Sequence, residues 1–325
     1  MAEWSISSGR TQHRSIRHSQ VPVLRQLSIA MVAADLVVRD LVFGLLLGCV
    51  FSVVAHGLNI IWGIVKVINI AHGEFIMLGA YGAYFLNLFA GLTPLEAAPV
   101  DAAIGLLVGY AFYYTFLHRE LRDKETITLQ SEMVTLAATF GLSLFVSNLA
   151  IILFTGNPVG INYNPGTLQF GYLHVPLAAL YVAILSVLII TGTWLFLERT
   201  FIGSAIRAYA QDVTATELVG ANPAKVASLA TALGFAVTMA GGALLTVWIP
   251  VGINPLMGAL YAPISFVIVV LGGPGKMWGS LVGGLTLGVV IDVVQAFTTV
   301  EIAYAAAFLI LIPVLVFRPE GLLKR

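Results

Sequence analysis

Three side chains able to do acid–base or ligand chemistry, Asn69, His72 and Glu74, crowd with Gly73 into the otherwise apolar stretch GLNIIWGIVKVINIAHGEFIMLGAY, Gly57 to Tyr81. An ionisable group at the centre of a membrane helix costs about 2.5 to 3.5 kcal/mol, so a chain that keeps two of them there uses them, to line a solute pathway or as a buried packing node. Residues two apart diverge on a regular helix, so His72 and Glu74 share a target only if Gly73 breaks it, and Gly73 is the expected helix break. Asn148 and Asn254 are further polar candidates for the same pathway, each equally able to bond a neighbouring helix. Asp292 and Gln295 lie three apart on one face, His56 stands alone, and Lys66 can snorkel to a membrane edge. Glu96 and Asp101 are expected in water at the external end of a span.

Catalytic chemistry finds little support. No carboxylate pair, serine triad or metal-ligand cluster has a working spacing, and HGE lacks the second histidine of a zinc helix. GGPGK, Gly272 to Lys276, suggests a phosphate loop, but Val270 and Met277 occupy the deciding positions of G-x-x-x-x-G-K-[ST]. No nucleotide site is encoded, and a tight turn between two spans explains those glycines.

The elements that must position these residues are membrane helices. Hydrophobic residues make up 59% of the 325 and charged residues 10%, with a mean hydropathy of +0.95, too little polar surface for a soluble globule. Apolar runs near the length that crosses a bilayer recur from Leu41 onward, favouring helices over the alternation of a barrel. Net charge is zero, so no nucleic-acid footprint is present, and the single cysteine, Cys49, leaves no intramolecular disulfide.

Residues 1–35 read as a basic, disordered leader or as sequence upstream of a true start at Met31, and 36–325 as one transmembrane domain. Nine spans are expected: Leu41 to Ile64, Ile70 to Ala90, Leu95 to Leu117, Met133 to Phe154, Val175 to Leu197, Val226 to Ile249, Leu256 to Leu271, Trp278 to Phe297 and Ala303 to Phe317. Bases cluster at Arg119, Arg122 and Lys124, at Arg199, Arg207 and Lys225, and at Arg318, Lys324 and Arg325, which marks those ends as cytoplasmic. The loop Thr155 to His174 has no Lys or Arg and suits an irregular external connection. This alternation puts the N-terminus outside, against the basic leader. A start at Met31, or a re-entrant segment within Leu41 to Ala90, removes the conflict, so eight to ten spans fit.

The longest cytoplasmic loop, 198–225, has internal order. Asp212 can cap a short helix, Val213 to Val219 can form it, and Gly220 can end it in the left-handed conformation. Asn222 and Pro223 restart the chain as a helix. Two isolated turns are marginal in water and need a surface, either the membrane interface or a groove on a cytoplasmic partner.

Here the sequence resembles a known family. VINIAHGEFIMLGAY is similar to the signature of LivH-type permeases of bacterial branched-chain amino acid ABC importers, which reads close to INFAHGEFYMLGAY. FIGSAIRAYAQDVTATELVGANPAKV resembles their coupling loop, with Thr216 where Ala is usual and Ala221 where Ile is usual. INPLMG, VLGGPGKMWGSLVGG and FRPEGLL follow in the family's order, so the likeness runs from Leu41 to Leu323.

The resemblance implies an all-α, polytopic inner-membrane bundle of the type II-like importer class, compatible with inverted repeats. It implies a pathway near Asn69, His72, Glu74, Asn148 and Asn254, and ATPase coupling through Asp212, Thr216, Glu217 and Gly220. Its partners would be a LivM-type permease or a second copy, two cytoplasmic ATP-binding subunits that use ATP and Mg, and a periplasmic binding protein. The chain itself would carry no cofactor. The solute would be a branched-chain amino acid, or urea, a short amide or another amino acid. An autonomous channel or secondary transporter, and an intramembrane enzyme, are the competing classes.

Overall fold

The computed structural model describes residues 16–121, 129–171, 173–218, 220–249, 252–318 and 321–323. Residues 1–15 of the leader, with Arg10 and Arg14, lie outside the described residues, as do Arg122, Lys124, Val219, Lys324 and Arg325. The chain forms a helical bundle: α1 (Ile16–Val65), α2 (His72–Ala90), α3 (Pro94–Phe112), α4 (His118–Leu121), α5 (Leu129–Phe154), α6 (Leu177–Arg199), α7 (Phe201–Gln211), α8 (Val213–Leu218), α9 (Pro223–Leu245), α10 (Met257–Gly272), α11 (Gly279–Gln295) and α12 (Val300–Phe317). A π-helical turn, Tyr113–Leu117, joins α3 to α4. Each of the nine expected spans coincides with a helix. Among the described residues, however, only six helices are long and apolar enough to cross a membrane by themselves. The polar entry of α2 dilutes its hydropathy, and α10 and α11 are shorter, at 16 and 17 residues.

Local chemistry sets the helix ends. Thr93 and Glu96 form a reciprocal capping box at the start of α3, with Pro94 in the first turn. The external loop is more regular than expected. It folds a two-stranded hairpin, β1 (Thr167–Phe170) with β2 (Leu173–Pro176), and Val159 bridges to Ile253 just before α10.

Small residues let the long helices touch backbone to backbone, the form of packing that replaces the hydrophobic effect within lipid. Helix α1 runs antiparallel to α11: a Cβ on Gly288 would lie 2.4 Å from the Cα of Gly48, and one on Gly284 would lie 2.2 Å from the Oγ of Ser52. Helix α3 crosses α9 in the same way, with Gly105 against Ala236 and Gly109 against Ala232. We expect Gly288→Val to cut the yield of folded, monodisperse protein severely in detergent size-exclusion chromatography. Gly192→Val should be tolerated, because a Cβ at Gly192 on α6 meets nothing within 4 Å.

Two helices start alike. In both Ile68–Gly73 and Ile253–Gly258 the order is Ile-Asn-x-x-x-Gly. Asn69 Oδ1 accepts from Ala71 N at 3.0 Å, and Asn254 Oδ1 accepts from Leu256 N at 3.0 Å. The amides of His72 and Met257 then donate to the carbonyls of Asn69 and Asn254, at 3.3 and 3.2 Å. The two glycines at the ends of these motifs meet each other: a Cβ on Gly73 would fall 2.1 Å from the carbonyl oxygen of Gly258.

Candidate functional site

The site is built where the chain leaves α1. Val65, Val67, Ile68 and Ile70 are β-branched and favour extended backbone, and Lys66 takes a left-handed conformation at φ 61°, which ends the helix. The Asn69 turn then redirects the chain into α2. The expected break at Gly73 is therefore misplaced: the interruption spans Lys66–Ala71, and Gly73 is the second residue of α2, kept small by the crossing with α10.

His72 and Glu74 do diverge, as positions two apart must. His72 is 1% exposed and donates from Nε2 to the carbonyl of Val54 on α1 at 3.2 Å, so the histidine ties α2 to α1. Glu74 points to another neighbour. It is 3% exposed; its Oε1 accepts from Ser143 on α5 at 3.0 Å, and Ser147, one turn on, faces the same carboxylate. Its Oε2 lies over Gly258 in the first turn of α10, 2.7 Å from where a Cβ there would be.

The magnitudes explain how a carboxylate is tolerated here. A hydrogen bond to a charged group contributes roughly 1.5–3 kcal/mol and a favourable helix N-terminus up to about 2 kcal/mol. Glu74 has the hydroxyl of Ser143 and sits in the first turn of α2 and against the first turn of α10. Together these offset the insertion cost. Removing the hydroxyl alone, by Ser143→Ala, should lower stability by about 1–2 kcal/mol in detergent thermal unfolding.

Two polar atoms of this entry have no hydrogen-bond partner among the described residues, Asn69 Nδ2 and Glu74 Oε2. Of the five pathway residues expected from sequence, Asn69, His72 and Glu74 share the α2 entry, with His72 turned to α1 and Glu74 to α5. Asn148 faces outward and donates to the carbonyl of Leu144 one turn back, at 2.7 Å, while Asn254 spends its side chain on its own turn. Neither reaches Glu74.

Sequence reasoning passed over α5. Ser131, Thr135, Thr139, Ser143 and Ser147 recur every four residues, and Thr139 Oγ1 accepts from Ile70 N at 3.3 Å within the α2 entry. The spacing was visible, but single hydroxyls are common in membrane helices because they can bond the preceding turn, as Thr135 and Thr139 also do here. A small cavity of about 70 Å³ sits at one end of this stripe, lined by Trp62, Lys66, Ser131, Glu132 and Thr135 among others. Asp101 is a second surprise. Expected in water, it is fully buried against Gly82, with neither carboxylate oxygen partnered among the described residues.

The cytoplasmic loop forms a compact corner. Thr200 caps α7 by accepting from Gly203 N at 3.0 Å, and Arg207 pairs with Glu198 at 3.6 Å. Asp212 Oδ1 accepts from Thr214 N at 2.8 Å to open α8, Gly220 follows at φ 82°, and Asn222 caps α9 ahead of Pro223. Glu217 is exposed on this corner, whereas Thr216 is fully buried, its hydroxyl turned back to the carbonyl of Asp212 at 2.8 Å. The GGPGK turn is occupied by the protein itself. Gly275 N donates to Asn59 Oδ1 at 2.8 Å, and Leu322 N donates to Leu271 O at 2.7 Å as the tail folds back beside it.

The helical bundle with glycine-mediated crossings and a polar entry buried between helices is a membrane permease component by its family match. A family model described as branched-chain amino acid transport system / permease component matches residues 41–317, and the chain belongs to that family. It is 30% identical to the high-affinity branched-chain amino acid transport system permease protein BraD of Pseudomonas aeruginosa, over 88% of this chain and 95% of that protein. It is 25% identical to the corresponding permease protein LivH of Escherichia coli K12, over 87% of this chain and 94% of the relative. A more distant likeness, 23% identity over 84% of this chain, links it to the LivM permease protein of the same bacterium. No solved structure matches.

Proposed function

We propose that the chain is a passage-forming subunit of an ATP-driven importer for branched-chain amino acids in a bacterial inner membrane. The observation that carries this reading is the α7–α8 corner: a capped six-residue helix, with Glu217 exposed, set directly against the start of α9. A channel has no need of such a lever. Motion delivered to it reaches α9, which crosses α1 at Gly57 and Gly234 and α2 at Gly79 and Gly242. In this account two cytoplasmic ATP-binding subunits supply the motion and use ATP and Mg, while a LivM-type permease completes the passage. A periplasmic protein delivers the solute.

The nine segments expected as spans each cross the membrane in this reading, α2 and α10 from first turns that meet inside the bundle. With α9 leaving the cytoplasm, its antiparallel neighbour α1 enters from outside and ends at Lys66. The order then alternates to a cytoplasmic Arg318. The paired motifs at Asn69 and Asn254, and the matching crossings of α1 with α11 and α9 with α3, support an inverted repeat centred on Gly73 and Gly258. Residues 1–30 are dispensable in this account. A chain started at Met31 should insert and assemble as the full chain does, and loss of insertion in membrane fractionation would reject that view. The reading as a whole is tested by uptake of radiolabelled leucine in vesicles carrying the reconstituted complex, with and without the ATPase subunits.

A further inference from the structure

We infer that the α2 entry is a recognition site for the zwitterionic head of an α-amino acid, with Glu74 Oε2 taking the ammonium group and Asn69 Nδ2 the carboxylate. The inference rests on the importer reading and names the atoms through which that passage would distinguish its solute. Buried polar atoms are nearly always hydrogen-bonded, so two orphans five residues apart in one helix entry call for a partner. Asn69 is fully buried and Glu74 97% buried by their exposures of 0% and 3%, yet Nδ2 of one and Oε2 of the other are unpartnered among the described residues. Their chemistry is complementary: one is a donor and the other an acceptor, the pair that an ammonium and a carboxylate on one carbon require.

Their placement agrees. Ile70, next to Asn69, meets Thr139 of α5, and Glu74 meets Ser143 of the same helix. Thr139 and Ser143 are one helical turn apart, a rise of about 5–6 Å. The Ile70 amide beside Asn69 and the Glu74 carboxylate therefore meet the same short reach of α5.

The repeat strengthens the assignment by its asymmetry. The positions in α10 that match His72 and Glu74 are Met257 and Ala259, both apolar. The second entry therefore carries no counterpart of the Glu74 carboxylate. Asp101 offers two unpartnered oxygens among the described residues and no donor of its own for a carboxylate, and the cavity of about 430 Å³ between α3, α6 and α9 is lined almost wholly by apolar residues. Neither matches a zwitterion. Access requires α5 to shift, and α5 is a lightly covered span, with 11% of its apolar window buried.

The test uses the full transport complex without its binding protein. Saturable binding of tritiated L-leucine is measured in competition with 4-methylpentanoate, which lacks the ammonium group, and with 3-methylbutylamine, which lacks the carboxylate. The wild-type complex should prefer leucine to each by at least about tenfold. Glu74→Gln keeps the size of the side chain and an oxygen for Ser143, and should erase the discrimination against 4-methylpentanoate alone. Asn69→Asp keeps the oxygen that holds Ala71 and should erase the discrimination against 3-methylbutylamine alone. A structural role would leave both ratios unmoved. Unchanged ratios in folded variants, or no saturable leucine binding to the wild-type complex, would overturn the site. ATP-driven leucine uptake in the same vesicles reports on the importer reading separately, because uptake that is normal in Glu74→Gln rejects this site and leaves the importer intact.

Discussion

Gly73→Leu is expected to eliminate folded permease. A Cβ at this position would lie 2.1 Å from the carbonyl oxygen of Gly258, and 2.8 Å from the Cβ of Ala262. The obstacle is backbone in the first turn of α10, so no rotamer change relieves it. Overpacking a well-filled interior typically costs ~1–3 kcal/mol, and a clash with backbone at a helix crossing belongs beyond that range. The two helices must separate, which withdraws Gly258 from Glu74 and loosens Ser143 of α5 with it. The expected result is loss of the monodisperse peak in detergent, with Gly73→Ala intermediate. Wild-type yield for Gly73→Leu would show that α2 and α10 do not cross as described.

Glu217→Arg should uncouple uptake from ATP while leaving the membrane bundle intact. Glu217 is exposed on a six-residue helix whose ends are set by Asp212 and Gly220, so reversing its charge disturbs a surface and not a fold. A like charge placed across an interface costs several kcal/mol, and each ~1.4 kcal/mol is a factor of ten in association. ATP-dependent uptake should fall at least about tenfold. Thr216→Val probes the other side of α8: it removes the hydroxyl bond to Asp212 and should lower stability modestly through the helix rather than through docking. Uptake unchanged in Glu217→Arg would remove this corner from the coupling path.

Local features were legible in the sequence, and contacts between distant segments were not. The apolar runs mark the nine helices that coincide with expected spans, because hydrophobic length is a property of each segment alone. Asp212, Gly220, Asn222 and Pro223 likewise announce their helix ends through chemistry that acts within a few residues. The break between α1 and α2 falls at Lys66–Ala71 and not at Gly73 for a reason of the same kind. Glycine is the usual signal for a left-handed residue, but here Lys66 takes that conformation after Val65, and the β-branched residues that follow keep the chain extended.

Gly73 was free of that duty because its smallness serves α10, which is 185 residues away from it at Gly258 in a crossing no local pattern reveals. Asp101 was placed in water because it lies seven residues after Pro94, near the external end of its span. Its burial depends on Gly82 of the preceding helix, which leaves room for the carboxylate. The hydroxyl stripe of α5 could have been found by its four-residue spacing, but its value depends on Glu74, which only the folded chain brings to Ser143.

The central claim, that this chain passes a branched-chain amino acid when driven by partner ATPases, is tested most directly by leucine uptake into vesicles containing the complete complex and its loaded binding protein. Uptake should require ATP and should stop when the ATPase subunits are replaced by a hydrolysis-deficient form. Leucine flux that persists at the same rate with inactive or absent ATPase subunits would contradict the account and make the chain a channel or an autonomous carrier.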